Sequence, residues 1–296
     1  MKNFTRNISR QWSLHLMLIP AIVLVFIFSY IPLYGLVLAF QKYNPAMGFG
    51  SPWIGLNNYR NLFAQPNFVR TIWNTFFIAT MKIIGGIIVP VFFSLLLNEM
   101  GNRFFKRFFQ TIIYIPNFLS WVIMAGIMVD LLGADGVVNQ SLGLIGIGPI
   151  WFLGEENVFP WTMIVSDIWK TFGFGTVIYL AALTSIDPGL YEAAEIDGAG
   201  LRGQLMSVVV PIAGPGIAAT ALLCIIFSWN EFFYAVQLNP VSGTTVPVWV
   251  TTYVSTRGAF LAKLSAASVL ACIPVVLAGW IAQKRLIRGL ALGAIK

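Results

Sequence analysis

Four charged side chains stand inside long apolar runs of this sequence: Lys82, Asp167, Lys170 and Glu231. A charge at membrane depth costs about 2.5–3.5 kcal/mol on insertion scales, so such residues face a partner or a water-filled cavity. Asp167 and Lys170 are three positions apart, so they share a helix face and can pair with each other. Lys82 can extend toward the membrane surface or bridge to another subunit. We expect some of the four to face a second subunit or a shared cavity.

A second group of polar and aromatic residues lies in the stretch SWNEFFYAVQL: Trp229, Asn230, Glu231, Phe233, Tyr234 and Gln237. At 100° per residue, one helix face collects Asn230, Phe233, Tyr234 and Gln237. Aromatic rings beside amide and phenol groups suit a sugar ring, which has apolar C–H faces and polar hydroxyl edges. The other interpretation is packing between subunits, with the polar groups hydrogen-bonded across helices. Both interpretations stay open.

The segment SIDPGLYEAAEIDGAG is acidic and rich in small residues. Asp187 and Pro188 favour a helix start, and Asp197-Gly198 favours its end. A second short helix is expected to run to Pro211, which predicts a helix–turn–helix elbow. A plain solvated loop with good caps is the alternative, although such a loop needs far fewer than the roughly 28 residues found here. The small side chains leave a surface that another protein's backbone can approach closely.

Several kinds of active site are excluded by composition. His15 is the only histidine, and the two cysteines, Cys224 and Cys272, both lie in apolar runs far apart in sequence. A histidine-based metal site or a Ser-His-Asp triad is therefore not expected. The sequence also has no G-x-x-x-x-G-K-[ST] motif, so we do not expect this chain to bind ATP phosphates in that way.

The elements that must position these residues are membrane helices. The chain has 296 residues, of which 58% are hydrophobic and 10% charged, whereas soluble domains have about 25% charged residues. A span needs about 20 mostly apolar residues. Six stretches qualify: 14–40, 71–97, 111–132, 158–183, 214–238 and 265–287. We predict an all-α membrane protein of about six transmembrane helices, forming one domain over 1–296, with the elbow at about 185–213 between spans 4 and 5.

Two local features refine the predicted spans. In the first span, Pro20, Pro32 and Gly35 predict a kink or a shorter helix. In the fourth, the glycines of TFGFGT, Gly173 and Gly175, permit close helix approach.

The distribution of Lys and Arg predicts the orientation. Of the 18 basic residues, eleven fall on the side of the N-terminus, five on the opposite side and two within the spans. The positive-inside rule then places both termini and the acidic elbow in the cytoplasm. The chain is therefore expected to be a multi-pass membrane protein.

The elbow carries a family resemblance. The pattern Glu192-Ala193-Ala194, three residues, Gly198, nine residues and then VVVP resembles the EAA loop of ABC importer permeases, in which this end reads I-x-L-P. The stretches WIGLNNYRNLF, IIFSWNEFFYAVQL and IAQKRLIRGLALGAIK are similar to carbohydrate-uptake permeases of the maltose-permease-like family. The resemblance covers most of the chain, with features of both the first and the second permease subunit of such importers.

The resemblance implies a type I importer fold, a location in the cytoplasmic (inner) membrane of a bacterium, and a set of partners. Two permease subunits, here expected to be a heterodimer, form the pathway, two ATPase subunits bind below, and an extracellular binding protein delivers the solute. The chain is then a non-catalytic subunit without a cofactor of its own, and ATP and Mg²⁺ bind to the partner ATPase. The coupling loop would dock on the ATPase through Glu192, Ala193, Ala194, Asp197 and Gly198.

The resemblance favours a sugar, an oligosaccharide or a polyol as the solute. An acidic oligosaccharide is a further option, because the outer loops and nearby spans carry Lys42, Arg60, Arg70 and Lys82. The alternative function is an ion-coupled secondary carrier for a small polar solute. Against it stand the large coupling loop and the lack of paired broken helices. A membrane-embedded enzyme is disfavoured by the shortage of His and Cys.

Overall fold

A computed structural model of the chain describes residues 12–184, 228–238, 245–255 and 258–294, together with Gly189, Gly198, Gly200, Gly203 and Met206. This part of the chain is mostly helical. Its α-helices are α1 (Trp12–Val25), α2 (Asn57–Phe63), α3 (Phe68–Glu99), α4 (Arg103–Tyr114), α5 (Trp121–Leu132), α6 (Val137–Leu144), α7 (Phe159–Thr184), α8 (Phe233–Leu238), α9 (Val246–Thr251) and α10 (Leu261–Ala294). Two two-residue strands, β1 (Val254–Ser255) and β2 (Gly258–Ala259), form an antiparallel hairpin.

Contacts between residues group the chain into two compact units. One comprises the described residues of Met1–Pro66 and Val250–Cys272, and the other those of Asn67–Trp249 and Ile273–Lys296. We refer to them as the first and the second unit.

In the first unit, the type of helix changes along the chain. After α1 the chain forms a π-helix over Phe26–Tyr30 and a 3₁₀-helix over Ile31–Phe40. Proline has no N–H to donate and disturbs the ladder of hydrogen bonds, which accounts for a change of register near Pro32. Every side chain from Leu16 to Tyr34 is exposed, as expected for an apolar helix that faces lipid.

Loop contacts complete the first unit. The Asn58 side chain donates to the carbonyl oxygens of Ala39 (2.8 Å) and Gln41 (3.0 Å). The Phe40 and Trp53 rings stack with centroids 5.3 Å apart. Near the hairpin, the Tyr253 hydroxyl hydrogen-bonds to the Gln65 side chain at 2.8 Å. These contacts order the loop that follows the first helical stretch.

The second unit is built on close packing of α7 against its neighbours. A Cβ added at Gly173 would lie 1.8 Å from the carbonyl oxygen of Ile113, and one added at Gly175 would lie 3.0 Å from Pro90. The structure therefore confirms the close helix approach predicted from TFGFGT. The core of this unit contains Ile78, Met124, Ala125, Met128, Phe159, Met163, Ile164, Tyr234, Ala235, Leu238 and Val248.

Four helical stretches among the described residues are long and apolar enough to cross a membrane: Leu16–Phe40, Phe68–Glu99, Trp121–Leu144 and Leu261–Trp280. The predicted spans 14–40, 71–97 and 265–287 coincide with three of them. Helix α7 has 26 residues and coincides with the predicted span 158–183. It is not among the four, because its charged, hydroxyl and glycine residues make it less apolar.

Two predicted spans differ from the observed helices. The prediction of one continuous helix over 111–132 is wrong. Pro116 interrupts the α-helical hydrogen bonding, and a 3₁₀ turn, Ile115–Phe118, separates α4 from α5. The Ser120 hydroxyl then accepts a hydrogen bond from the Ile123 N–H and caps α5.

The predicted span 214–238 is described only in part. Residues 214–227 lie outside the described residues, and the helix is interrupted at residues 230–232, before α8 begins.

Candidate functional site

A buried ammonium group joins three elements of the second unit. Lys82 Nζ, on α3, lies 3.1 Å from Asp167 Oδ1 on α7 and 3.1 Å from Glu231 Oε2 in the segment before α8. The Lys82 side chain is 2% exposed, and the two carboxylates are 17% and 13% exposed. Burying these charges is tolerable only because they are paired and hydrogen-bonded. We call these three residues the charge triad.

The charge triad corrects two expectations about pairing. Asp167 pairs with Lys82 and not with Lys170, because Lys82 reaches across from α3. Lys82 does not extend to the membrane surface, because its side chain is 2% exposed and pairs with two carboxylates of this chain. With one cation and two carboxylates, the triad has a formal net charge of −1.

Lys170 contacts a carbonyl oxygen and an aromatic ring. Its ammonium donates to the Asn117 carbonyl oxygen at 3.1 Å and lies 4.6 Å from the centroid of the Trp121 ring. The Trp121 ring in turn contacts the Tyr234 ring, with centroids 4.8 Å apart and planes tilted by 46°. The Lys170 ammonium, the Trp121 indole and the Tyr234 phenol thus contact one another in sequence beside the charge triad, and we call these three side chains the layer.

Tyr234 has a buried hydroxyl at this layer. The side chain is 0% exposed, and its hydroxyl oxygen makes no hydrogen bond of good geometry with the described residues. Ser166 lies beside it; the Ser166 hydroxyl donates to the Thr162 carbonyl oxygen at 2.6 Å and keeps lone pairs that can accept from the phenol. Most buried polar atoms in native proteins have a partner. Among the described residues, the Tyr234 hydroxyl shares its status with Gln41 Oε1 and the Tyr59 hydroxyl.

The chain is not helical around Glu231. Ser228 and Trp229 are helical, residues 230–232 are not, and α8 begins at Phe233. Glu231 Oε1 accepts a hydrogen bond from the Tyr234 N–H at 3.1 Å, and the Glu231 carbonyl oxygen accepts one from the Thr245 hydroxyl at 2.8 Å. At membrane depth, irregular backbone occurs only where it is buried in protein or lines a water-filled cavity.

This interruption changes the predicted helix face. A continuous helix from Trp229 to Gln237 would place Asn230, Phe233, Tyr234 and Gln237 together. In the structure, Asn230, Phe233 and Gln237 are exposed, whereas Tyr234 is buried in the core, as is Trp229. The structure therefore separates Tyr234 from the other three members of the predicted face.

Sequence reasoning missed Asn117 and Trp121. The predicted span 111–132 includes both in one continuous helix, where a backbone carbonyl oxygen would not be free to accept from Lys170. The available signals were Pro116, which interrupts the helix, and Ser120, which caps the next one. A break at this point exposes the Asn117 carbonyl oxygen to a side-chain donor.

Most of the predicted coupling loop lies outside the described residues, including Glu192, Ala193, Ala194 and Asp197. Gly198 is described: it is exposed, lies in a turn and has φ +75°. This left-handed conformation favours glycine. The helix stop at Asp197-Gly198 stays a prediction, because residues 190–197 lie outside the described residues.

Known proteins share this architecture. Residues 82–290 match the family described as "Binding-protein-dependent transport system inner membrane component". The polygalacturonan/rhamnogalacturonan transport system permease protein YteP of Bacillus subtilis (strain 168) is 40% identical over 212 residues, which are 71% of this chain and 66% of that protein. This chain thus spans about two thirds of the relative's length.

Two solved structures are similar over nearly the whole chain. A bacterial alginate ABC transporter, in complex with an alginate pentasaccharide-bound periplasmic protein, has a TM-score of 0.77 at 29% identity and covers 94% of both chains. A bacterial ABC transporter involved in the import of the acidic polysaccharide alginate has a TM-score of 0.76 at 31% identity, over 95% of this chain and 99% of that one. The expected type I permease fold is thereby confirmed. The chain belongs to the family of binding-protein-dependent transport system inner membrane components.

Proposed function

We propose that this permease carries an acidic oligosaccharide built from uronic acid units, and that Lys170 and Trp121 contact it on its path. The observation that carries this proposal is the environment of the Lys170 ammonium. Its contacts are a carbonyl oxygen and an aromatic ring, and none of the described carboxylates lies within 4.0 Å of it. A cation beside an indole offers a partner for a carboxylate and a stacking surface for a sugar ring.

The charge triad and Lys170 have different parts in this proposal. Lys82 is already held by two carboxylates, so it has little capacity to bind a third. Lys170 balances the net charge of the triad and keeps donor capacity, since an ammonium has three N–H donors. The buried Tyr234 hydroxyl adds a hydrogen-bonding group next to the same indole ring.

Access to Lys170 requires movement, because the residue is 5% exposed in this conformation. The 3₁₀ turn that carries Asn117 and the irregular segment before α8 both lie beside the layer, and such interruptions are the places where a helix can bend. In the proposed mechanism these segments separate when the pathway opens, and Lys170 exchanges the Asn117 carbonyl oxygen for a substrate carboxylate.

The names of similar proteins support an acidic substrate. The relative YteP is named for polygalacturonan and rhamnogalacturonan, and both solved structures are of alginate transporters. The broader function is that of a transmembrane permease subunit of a carbohydrate ABC importer. The family match supports the importer and not the ion-coupled carrier.

Uptake by cells tests the proposed substrate. Cells carrying the importer receive an oligogalacturonate or a neutral galactooligosaccharide of the same length. We expect uptake of the acidic sugar only, with a reduction of about tenfold or more in Lys170→Gln, since a hydrogen bond to a charged group contributes about 1.5–3 kcal/mol. Lys170→Arg should retain more uptake than Lys170→Gln. Preference for the neutral sugar, or normal uptake by a stably inserted Lys170→Gln variant, would contradict the proposal.

We further propose the complete assembly that the EAA-like loop implies. Its parts are a second permease, two ATPase subunits that bind ATP and Mg²⁺, and an extracellular binding protein, with both termini of this chain in the cytoplasm. In this assembly the chain has no catalytic activity of its own. The coupling loop docks on the ATPase through Glu192, Ala193, Ala194, Asp197 and Gly198. The elbow's acidic and small residues support this docking role, as does the conformation of Gly198.

A charge reversal tests the docking role. We expect Glu192→Lys to abolish uptake and ATPase co-purification while the protein still inserts into the membrane. Glu155→Lys, an exposed position in the loop before α7, is the matched control and should leave co-purification unchanged. Normal uptake and normal co-purification in Glu192→Lys would remove the docking assignment.

A further inference from the structure

Helix α4, Arg103–Tyr114, has a cationic face and a phenylalanine face. At 100° per residue, one arc collects Arg103, Lys106, Arg107, Gln110 and Thr111. The opposite arc collects Phe104, Phe105, Phe108, Phe109 and Ile112, which are 45–72% exposed. None of the 12 residues is buried, and the helix contains no acidic residue.

Both ends of α4 are fixed. At its start, Asn102 Oδ1 accepts hydrogen bonds from the Phe104 N–H (2.9 Å) and the Phe105 N–H (3.4 Å). At its end, the Ile113 carbonyl oxygen lies against Gly173, and the Tyr114 ring stacks on Phe174 with centroids 6.0 Å apart. The C-terminal turn is therefore seated on α7, and the two faces upstream of it are left uncovered by the described residues.

An open groove of about 600 Å³ runs along one boundary between the two faces. Its lining consists of Arg103, Phe104, Arg107, Phe108 and Thr111. The two guanidinium groups are one helical turn apart on the cationic side, and the two rings follow the same spacing on the apolar side. Among the described residues, no carboxylate lies within 4.0 Å of either arginine.

The groove lies next to a membrane-crossing helix. Helix α3 is long enough to cross the bilayer and ends at Glu99, three residues before Asn102. Helix α4 therefore begins where the chain leaves the apolar layer. The first turns of α4 carry basic residues on one face and phenylalanines on the other, which suits the interface, where an apolar face meets the acyl chains. From there the helix continues to its contact with α7 at Gly173.

We propose that this groove binds an anionic phospholipid. The phosphate pairs with Arg103 and Arg107, whose planar guanidinium groups suit bidentate contact with phosphate oxygens. The start of the acyl chain lies along Phe104 and Phe108. The occupant is a lipid because the cationic groups and the apolar rings meet along one continuous groove, which matches the junction of headgroup and acyl chain.

Lipid retention by the purified importer assembly tests this site. Native mass spectrometry counts the molecules of phosphatidylglycerol or phosphatidylcholine that stay bound as each lipid is titrated. The double substitution Arg103→Gln/Arg107→Gln should weaken phosphatidylglycerol binding about 25-fold, because each basic side chain at an anionic surface contributes about a fivefold factor. Phosphatidylcholine binding should change little.

Two control variants separate charge from the rest of the helix. Arg60→Gln, on the exposed surface of α2, should leave phosphatidylglycerol binding unchanged. Arg103→Lys/Arg107→Lys should retain most of the binding, since the charge remains. Equal retention of both lipids by the wild type, or equal phosphatidylglycerol binding by the Gln double variant, would overturn the proposal. Loss of the ATPase subunits with unchanged lipid binding would also overturn it, in favour of a protein partner on this face.

Discussion

The Lys82 ammonium nitrogen lies 3.1 Å from Glu231 Oε2, although 149 positions of sequence separate the two residues. Glu231 also hydrogen-bonds the Tyr234 N–H, and so the same carboxylate links α3 to the start of α8. A single buried cation thus holds the irregular segment that precedes α8 in place. This arrangement positions Tyr234 against Trp121, in the layer that contains Lys170.

Removing the cation of the charge triad should destabilise the second unit. Lys82→Met leaves Asp167 and Glu231 close together without a counter-charge, and breaking a buried pair in this way costs about 3–5 kcal/mol. Thermal unfolding of the purified protein should show a lower midpoint.

The triple variant Lys82→Met/Asp167→Asn/Glu231→Gln is the control for that experiment. It removes all three charges of the triad and should recover much of the lost stability. A Lys82→Met variant as stable as the wild type would show that the triad does not hold these elements together.

The close approach of α7 to Ile113 gives a second prediction. Because a Cβ at Gly173 would lie 1.8 Å from the Ile113 carbonyl oxygen, Gly173→Ala must push α7 away from the end of α4. Overpacking of this kind costs about 1–3 kcal/mol. Gly126→Ala in α5 is a matched control, since no atom lies within 4 Å of a Cβ there. Equal unfolding midpoints for the two variants would contradict this packing.

A buried hydrogen bond gives a third prediction. The Thr75 hydroxyl accepts from the Val246 N–H at 2.7 Å and donates to the Thr71 carbonyl oxygen at 2.8 Å. Thr75→Val keeps the shape but leaves the buried Val246 N–H without its acceptor, which costs about 1–3 kcal/mol. Hydrogen exchange at Val246 should become faster. Thr75→Ser retains the hydroxyl, so its exchange rate should stay close to that of the wild type.

The sequence predicted the parts of this fold that depend on composition and local pattern. Apolar runs predicted three of the membrane-crossing helices, and the glycines of TFGFGT indicated where α7 packs closely against Ile113 and Pro90. Pairing across the fold was harder to predict. Nothing local to Lys82 indicates that its partners are on α7 and before α8, since that choice depends on how distant helices pack.

Two interruptions also escaped prediction. Apolar residues lie on both sides of Pro116 and of residues 230–232, so a pattern based on helical period continues across both breaks. The breaks bring the Asn117 carbonyl oxygen to Lys170 and the Glu231 side chain to Lys82. The candidate site therefore depends on departures from the regular helices that the sequence pattern predicts.

The separation of Tyr234 from its predicted neighbours can be tested by cysteine labelling. The background is Cys224→Ala/Cys272→Ala, because Cys272 is exposed and would react itself. In that background, Asn230→Cys and Gln237→Cys should react with a small water-soluble thiol reagent, since both positions are exposed. Tyr234→Cys should react slowly in the resting state, because that position is 0% exposed.

Added substrate and ATP distinguish a path from a packing surface. If residues 230 and 237 line the path, a bound acidic oligosaccharide should protect both cysteines from the reagent. If the layer around Trp121 opens during transport, Tyr234→Cys should react faster while the importer turns over. Unreactive cysteines at 230 and 237 under all conditions would favour packing against a second subunit. Constant slow reaction at 234 would exclude the proposed opening beside Lys170.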